Sequence, residues 1–178
     1  MKDVKSIMKL LESHPRNFLL FVMGVNNGLR TDDLLKLKVG QVRNLKSGQS
    51  LKIREGKTKK ENILMVNKII FKAIQKFIEA HDPEDDEFLF QSRKGKNIPL
   101  QTTAVNRLIK KWTREINLKG RYGAHTLRKT WGYHQRKTFG VAIELITKRY
   151  NHSSPSITMR YLGIEDKEVN NILMNEIG

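Results

Sequence analysis

Three short stretches of the sequence carry side chains that can act together on a phosphodiester. Residues 27–33 read Asn-Gly-Leu-Arg-Thr-Asp-Asp, residues 124–128 read Ala-His-Thr-Leu-Arg, and residues 150–161 hold a histidine nine residues before a tyrosine. Arginines stabilise charge on phosphate oxygens, a histidine exchanges protons near neutral pH, and a tyrosine hydroxyl can attack phosphorus covalently. The sequence therefore predicts a metal-free phosphoryl-transfer site that contains Arg30, His125, Arg128, His152 and Tyr161.

The charge of the chain indicates a polyanionic partner. The formal net charge is +16, from 34 Lys and Arg against 18 Asp and Glu. Most of the excess lies in residues 91–160, which hold 16 Lys and Arg but only two acids, Glu115 and Glu144. A basic surface releases counterions when it binds nucleic acid, whereas the plainer alternative is a solvated surface without a partner. We favour the nucleic-acid interpretation because the charge accompanies two of the three stretches.

Composition excludes several other classes of protein. The sequence contains no cysteine, which rules out disulfides and thiolate metal sites. No apolar run approaches the roughly 20 residues that a membrane span needs, and the N-terminus does not read as a signal peptide. We therefore expect a cytoplasmic protein, with one domain in its 178 residues.

Apolar residues at helical spacing predict that most of the chain is helical. We expect Gly28 to end the second helix in a left-handed conformation, and Thr31, Asn67 and Thr126 to cap later helices. Ser154 or Ser156 is the expected cap of a short helix that reaches the tyrosine. The expected helices lie at about 2–13, 15–25, 31–37, 67–78, 102–116, 127–137, 141–149, 154–161 and 164–177.

The sequence changes character over residues 42–66, where positions 51–54 alternate between apolar and polar and positions 63–66 do so less cleanly. Segments 42–45, 51–54 and 63–66 predict a three-stranded antiparallel meander, with Lys57 in the turn between its second and third strands. Residues 56–58 read Gly-Lys-Thr, but a phosphate-binding loop also needs a glycine at position 51, where the sequence has leucine. The expected fold is α+β, a mainly helical single domain with a small three-stranded antiparallel sheet. We expect Trp131 and Tyr133 in its core.

The three stretches resemble the catalytic motifs of the tyrosine recombinases, the family of phage integrases, transposon integrases and Xer-type resolvases. The resemblance covers about residues 15–175. It implies that 1–178 is the family's catalytic domain, and that the family's N-terminal core-binding domain is absent. It also implies site-specific cleavage and rejoining of double-stranded DNA, with no metal, ATP or other cofactor. The matching features, in order, are residues 27–30 with Asp33, residues 125–128, Asn151 with His152, and Tyr161.

The resemblance assigns roles to the predicted site residues. Arg30 and Arg128 would clamp the scissile phosphate, and Tyr161 would attack it to give a 3′-phosphotyrosyl bond and a free 5′-hydroxyl. His125 would act as an acid and base on the tyrosine side. His152 would donate a hydrogen bond to the phosphate.

Two further roles come from the same resemblance. Lys57 would be the general acid for the departing 5′-hydroxyl, with Lys59 and Lys60 as alternatives, and Asp33 would support the site.

The family usually has glycine before the second histidine, and this chain has Asn151 instead. Asparagine tolerates left-handed backbone angles, so we expect the turn to be kept.

Partners follow from the charge and the resemblance. Residues 164–177 would dock on other recombinase protomers on DNA, or fold back on their own domain, and the protein would associate with the nucleoid. Basic side chains on one helix face, together with one on the next helix, are expected to contact DNA. They are Arg107, Lys110, Lys111, Arg114 and Lys129.

Two other functions use the same residues. A type-IB-topoisomerase-like enzyme would nick and reseal one strand, and would relax supercoils without strand exchange. A DNA-binding regulator would keep the fold without catalysis. The full set of predicted catalytic side chains argues against the regulator.

Overall fold

The chain folds into a mainly helical α+β structure, obtained as a computed structural model that describes residues 1–164, 174 and 176. The structure consists of two compact units, Met1–Trp131 and Gly132–Gly178. The residues predicted to form a C-terminal helix, 164–177, lie almost entirely outside the described part. The elements are α1 (Lys2–Leu10), α2 (Pro15–Asn27), α3 (Thr31–Leu34), α4 (Val39–Val42), β1 (Ser50–Arg54), β2 (Glu61–Met65), α5 (Lys68–His81), α6 (Thr102–Glu115), α7 (Ala124–Lys137), α8 (Ile143–Tyr150) and α9 (Pro155–Leu162).

The core of the first unit forms around α2. This helix packs against α5. Residues 19–24, which make more than one full turn, are all buried because every side of the helix faces other parts of the protein. Phe21 meets Trp112 of α6 edge to face, with 6.1 Å between ring centroids. Gly24 lets Leu127 of α7 approach, since a Cβ there would lie 2.7 Å from the leucine Cδ1. The first turns of α7 are thereby held close to α2.

The sheet in the described residues has two strands, so the prediction of a three-stranded meander is wrong. β1 and β2 pair antiparallel, from Ser50 opposite Met65 to Arg54 opposite Glu61. The expected first strand, at 42–45, instead follows α4 in a turn. The Leu45 N–H donates to the Val42 carbonyl over 3.1 Å. Backbone groups used locally in this way cannot pair with β1.

Several helix ends agree with local sequence rules. Gly28 ends α2 with φ of 61°, in the left-handed region. The side chain of Asn67 caps α5 by accepting from the Ile70 N–H over 3.0 Å. Ser154 rather than Ser156 caps α9, by accepting from the Ile157 N–H. These predictions are confirmed.

The predicted caps at Thr31 and Thr126 are wrong. α3 begins at Thr31 itself, whose hydroxyl donates to the Ala124 carbonyl over 3.1 Å. α7 begins at Ala124, and the Thr126 hydroxyl accepts from the Gly123 N–H over 2.9 Å. Thr126 therefore reaches back across the first turn instead of starting it. Both threonines fix the position of α7, one through a tertiary contact and one locally.

The second unit contains the end of α7 together with α8 and α9. Tyr150 and Leu162 are buried there, and the Thr147 hydroxyl donates to the Thr158 hydroxyl over 2.8 Å. Tyr133 is 47% exposed, which contradicts its predicted place in the core. The buried stripe of α7 includes positions 124, 127 and 128, and position 133 lies off that stripe. Within the described residues, no helix is both long and apolar enough to cross a membrane.

Candidate active site

A cavity of about 600 Å³ in the first unit brings together four of the predicted site residues. Arg30 lies between α2 and α3, and Asp33 lies in α3. Lys57 is in the turn between β1 and β2, and His125 is in the first turn of α7. All four line this cavity. Two of the three chemically active stretches and the predicted hairpin lysine therefore meet at one place.

Arg30 is held by a buried acid that the sequence analysis missed. Its Nη1 donates to Oε2 of Glu55, which directly follows β1 and has a side-chain exposure of 0%. The Thr58 hydroxyl donates to the same oxygen, and Asn62 donates to Oε1 over 2.8 Å. No sequence pattern marks Glu55 as a site residue, because its partner Arg30 lies 25 residues earlier in the chain.

The hydrogen bonds of Glu55 keep it ionised despite its burial. Burial alone raises the pKa of a carboxyl group, because the charged form loses its hydration. Hydrogen bonds from Thr58 and Asn62 and the charge of Arg30 act in the other direction. Together they hold the pKa of Glu55 below its ordinary value. A fixed negative charge therefore lies next to Arg30, on a residue that does not line the cavity.

Asp33 ties the hairpin turn to α3. Its Oδ1 accepts from the Gly56 N–H over 2.8 Å, and the residue is 7% exposed. Asn27 makes a second tie, because its side chain accepts from the Met65 N–H over 2.8 Å and donates to the Met65 carbonyl over 3.2 Å. The hairpin that carries Lys57 is thus attached to the same segment that carries Arg30.

α7 supplies two predicted site residues from neighbouring positions. His125 is exposed, whereas Arg128, three residues later on the adjoining surface of the helix, is 3% exposed. The start of the helix is fixed by Asn106, whose side chain accepts from the Ala124 N–H over 2.6 Å. Buried arginines are rare unless they are paired or functional.

The second unit brings the remaining two site residues together. The ring centroids of His152 and Tyr161 are 5.4 Å apart, and the rings meet at 80°. Nδ1 of His152 lies 3.0 Å from the Thr158 hydroxyl, which orients the imidazole. Asn151 precedes the histidine with φ of 54°, in the left-handed region. The expected left-handed turn is therefore formed with asparagine.

All five side chains predicted to contact DNA are exposed. Four lie on the outer face of α6, opposite Val105, Ile109 and Trp112, and Lys129 is on α7. Lys111 also forms an ion pair with Glu115, at 3.7 Å. Among residues 1–164, 174 and 176, no group of three His, Asp or Glu side chains is arranged to hold a metal ion.

Comparisons with known proteins identify relatives of this chain. A family model described as "Phage integrase family" matches residues 1–168. The chain is 35% identical over 158 residues to "Probable integrase/recombinase YoeC" of Bacillus subtilis (strain 168), covering 88% of this chain and 82% of that protein. It is 30% identical over 165 residues to "Tyrosine recombinase" of Pseudothermotoga lettingae, covering 91% of this chain but only 55% of that protein.

Solved structures share the fold. The crystal structure of XerA recombinase matches with a TM-score of 0.78 and 20% identity, over 99% of this chain and 65% of that one. The catalytic domain of bacteriophage HP1 integrase matches with a TM-score of 0.60 and 16% identity, over 98% and 92%. Both matches are below 25% identity and show a shared fold.

Proposed function

Because the chain belongs to the phage integrase family, we propose that it is a site-specific tyrosine recombinase that cleaves and rejoins DNA through a 3′-phosphotyrosyl intermediate. The observation that carries the proposal is the cavity that Arg30, Lys57 and His125 line together. The names of the relatives, an integrase/recombinase and a tyrosine recombinase, support the same activity. The family model covers nearly the whole chain, and we assign residues 1–178 to the catalytic domain.

In the proposed cleavage step, the hydroxyl oxygen of Tyr161 bonds to the scissile phosphorus, and the bond from phosphorus to the 5′-oxygen breaks. His125 accepts the proton of the tyrosine, and Lys57 protonates the departing oxygen. The products are a 3′-phosphotyrosyl bond and a free 5′-hydroxyl. Attack by the 5′-hydroxyl of another strand reverses these steps and rejoins the DNA. No ATP is required, because the energy of the phosphodiester is kept in the phosphotyrosyl bond.

Charge stabilisation in this mechanism falls to the arginines. Arg30 and Arg128 would donate to the non-bridging oxygens, where negative charge builds up in the transition state. The Arg30 side chain is 19% exposed and Arg128 is 3% exposed, so little water screens their interaction with a phosphate. His152, oriented by Thr158, would add a hydrogen bond to the same phosphate.

Binding to double-stranded DNA is proposed from the charge and its placement. The exposed basic face of α6 and Lys129 would contact backbone phosphates, with the strong salt dependence of counterion release. Residues 164–177 would reach other protomers on DNA, although this segment lies outside the described residues. The activity would take place in the cytoplasm, at the nucleoid.

The proposal is tested by recovering DNA that the protein traps covalently. A library of nicked duplex fragments is incubated with the protein and denatured, and the protein-linked DNA is sequenced. We expect the protein-linked fragments to share one cleavage site at their 3′ ends, where the phosphotyrosyl bond forms, and the released fragments to begin with a free 5′-hydroxyl. Tyr161→Phe should recover none, and the matched variant Tyr133→Phe, at an exposed tyrosine, should recover the same fragments as the wild type. The absence of any adduct from the wild-type chain would contradict the proposal.

A further inference from the structure

We infer that Glu55 is a positioning residue that fixes the guanidinium of Arg30 against the scissile phosphate, an inference that rests on the proposed function. Glu55 does not line the cavity around Arg30, Lys57 and His125, so it does not itself touch the substrate. It acts through Arg30, to which Oε2 is hydrogen-bonded. Its backbone lies at the point where β1 leads into the turn that carries Lys57.

Both carboxylate oxygens of Glu55 are engaged, which fixes the side chain in one orientation. Oε1 accepts from Asn62 over 2.8 Å, and Oε2 accepts from Thr58 and from Arg30. The side chain has no exposure to solvent, so water does not compete for these oxygens. The main chain of Glu55 is fixed as well, because its N–H donates to the Lys60 carbonyl over 2.9 Å and its carbonyl accepts from the Lys59 N–H over 3.0 Å.

A fixed carboxylate determines where the other edge of Arg30 points. The guanidinium is planar and carries five N–H donors in a rigid fork. Glu55 holds Nη1 and thereby restricts the orientation of the fork, and the same side chain lines the cavity. Displacement of a catalytic group by about 1 Å can slow a reaction about 10²-fold. The rate of cleavage should therefore depend on Glu55.

Glutamine cannot replace Glu55, even though it has nearly the same shape. Its amide has one accepting oxygen and one NH₂ group, whereas Asn62 and Arg30 both donate to Glu55. Turning the oxygen toward Arg30 would set two NH₂ groups against each other. Rotating the Asn62 amide to relieve this would break its hydrogen bond from the Ile63 N–H, which is 2.9 Å long. Glu55→Gln therefore loosens Arg30.

The inference is tested with Glu55→Gln on three nicked duplexes that carry the site recovered from trapped adducts. One has an ordinary scissile phosphate. The second has a methylphosphonate, which lacks one negative charge and so has less need of Arg30. The third has a 5′-phosphorothiolate, whose leaving group needs no proton and so has no need of Lys57. Glu61→Gln is the matched control, because Glu61 is an exposed glutamate of the same hairpin.

We expect Glu55→Gln to slow cleavage of the ordinary phosphate by about 10²-fold, and the methylphosphonate to remove most of this defect. The phosphorothiolate should not remove it, and Glu61→Gln should behave as the wild type on all three. In an Arg30→Ala background, Glu55→Gln should cause no further loss, since residues that act through one contact are not additive. Circular dichroism and thermal unfolding show whether each variant is folded. If Glu55→Gln is unfolded at the assay temperature, the same comparison is made with Glu55→Asp.

An equal defect on all three duplexes, or full additivity with Arg30→Ala, would overturn the inference and leave Glu55 a purely structural residue. Recovery on the phosphorothiolate alone would also overturn it, since Glu55 would then act on Lys57. Wild-type rates in Glu55→Gln would overturn it while the proposed function stands. A wild-type chain that forms no adduct on any duplex would overturn both.

Discussion

The backbone N–H of Gly56 donates to Oδ1 of Asp33 over 2.8 Å, which anchors the hairpin turn on the short helix that follows Arg30. Lys57, the next residue in that turn, is proposed to act on the leaving oxygen, and Arg30 on the non-bridging oxygens of the same phosphate. Groups that work on one phosphorus must keep a fixed separation. Asp33 supplies that constraint by accepting from the backbone N–H of residue 56, a donor that every residue except proline carries.

Lys57→Ala should slow DNA cleavage by about 10²–10⁴-fold, the range typical of general acid catalysis. A 5′-phosphorothiolate substrate should restore most of the rate, because its leaving group needs no proton. Lys57 lines the cavity with Arg30, and neither Lys59 nor Lys60 is among the described residues that do so. Single-turnover cleavage is the measurement, with Lys52→Ala on the exposed side of β1 as the control. Equal defects on both substrates would assign proton transfer to another group.

The stability of the protein should depend on pH through Glu55. Its pKa is lowered in the folded protein. Its contribution to the free energy of unfolding is therefore present above the unfolded-state pKa of about 4.3, and is lost as the pH falls through the folded-state pKa. At neutral pH, Glu55→Gln should cost about 1–3 kcal/mol, as for hydrogen bonds to a charged group.

Urea denaturation at a series of pH values checks this prediction. The difference in free energy of unfolding between the wild type and Glu55→Gln should be constant near neutral pH, and should shrink as the pH falls below about 4.3. Glu61→Gln, at an exposed glutamate of the same hairpin, is the control. A constant difference between wild type and Glu55→Gln down to low pH would mean that the Glu55 carboxylate is not the titrating group.

The left-handed turn before His152 predicts opposite outcomes for two substitutions at Asn151. Its φ of 54° disfavours residues with a Cβ by about 1–2 kcal/mol, and asparagine is less affected than alanine. Asn151→Ala should therefore lower the free energy of unfolding by about 1 kcal/mol, and should slow cleavage through His152. Asn151→Gly should retain stability and activity. Urea denaturation and adduct formation provide the two measurements, and equal effects of alanine and glycine would contradict the expectation.

The sequence predicts features that depend on residues close together along the chain, and it does not predict those that depend on residues far apart along the chain. The ends of α2, α5 and α9 were predicted because Gly28, Asn67 and Ser154 act within three residues of their own position. Thr31 follows the same cap pattern, but its hydroxyl bonds to the Ala124 carbonyl, 93 residues away. Local rules cannot anticipate such a contact.

The candidate site shows the same division. The three sequence stretches predict Arg30 and His125 as site residues, the family resemblance adds Lys57, and the structure brings these three side chains around one cavity. Glu55, which orients Arg30, was missed because only the folded hairpin brings the two together. The strand predicted at 42–45 is wrong because four residues with apolar ends, Val42 and Leu45, fit the end of a short helix as well as a strand.

Assembly on DNA is expected to depend on residues 164–177. Light scattering should show a monomer without DNA and a larger assembly with a short duplex that carries the cleavage site. A chain truncated after Gly163 should bind DNA but fail to assemble. A stable dimer without DNA, or normal assembly by the truncated chain, would contradict this role.

The central claim is that Tyr161 becomes covalently joined to DNA. The direct measurement is to trap the protein on a nicked duplex, digest protein and DNA, and locate the nucleotide-bearing residue by tandem mass spectrometry. We predict a 3′-nucleotide on the oxygen of Tyr161 in the wild type, no adduct in Tyr161→Phe, and an unchanged adduct in Tyr133→Phe. A nucleotide on any other residue, or an adduct that persists in Tyr161→Phe, would contradict the account.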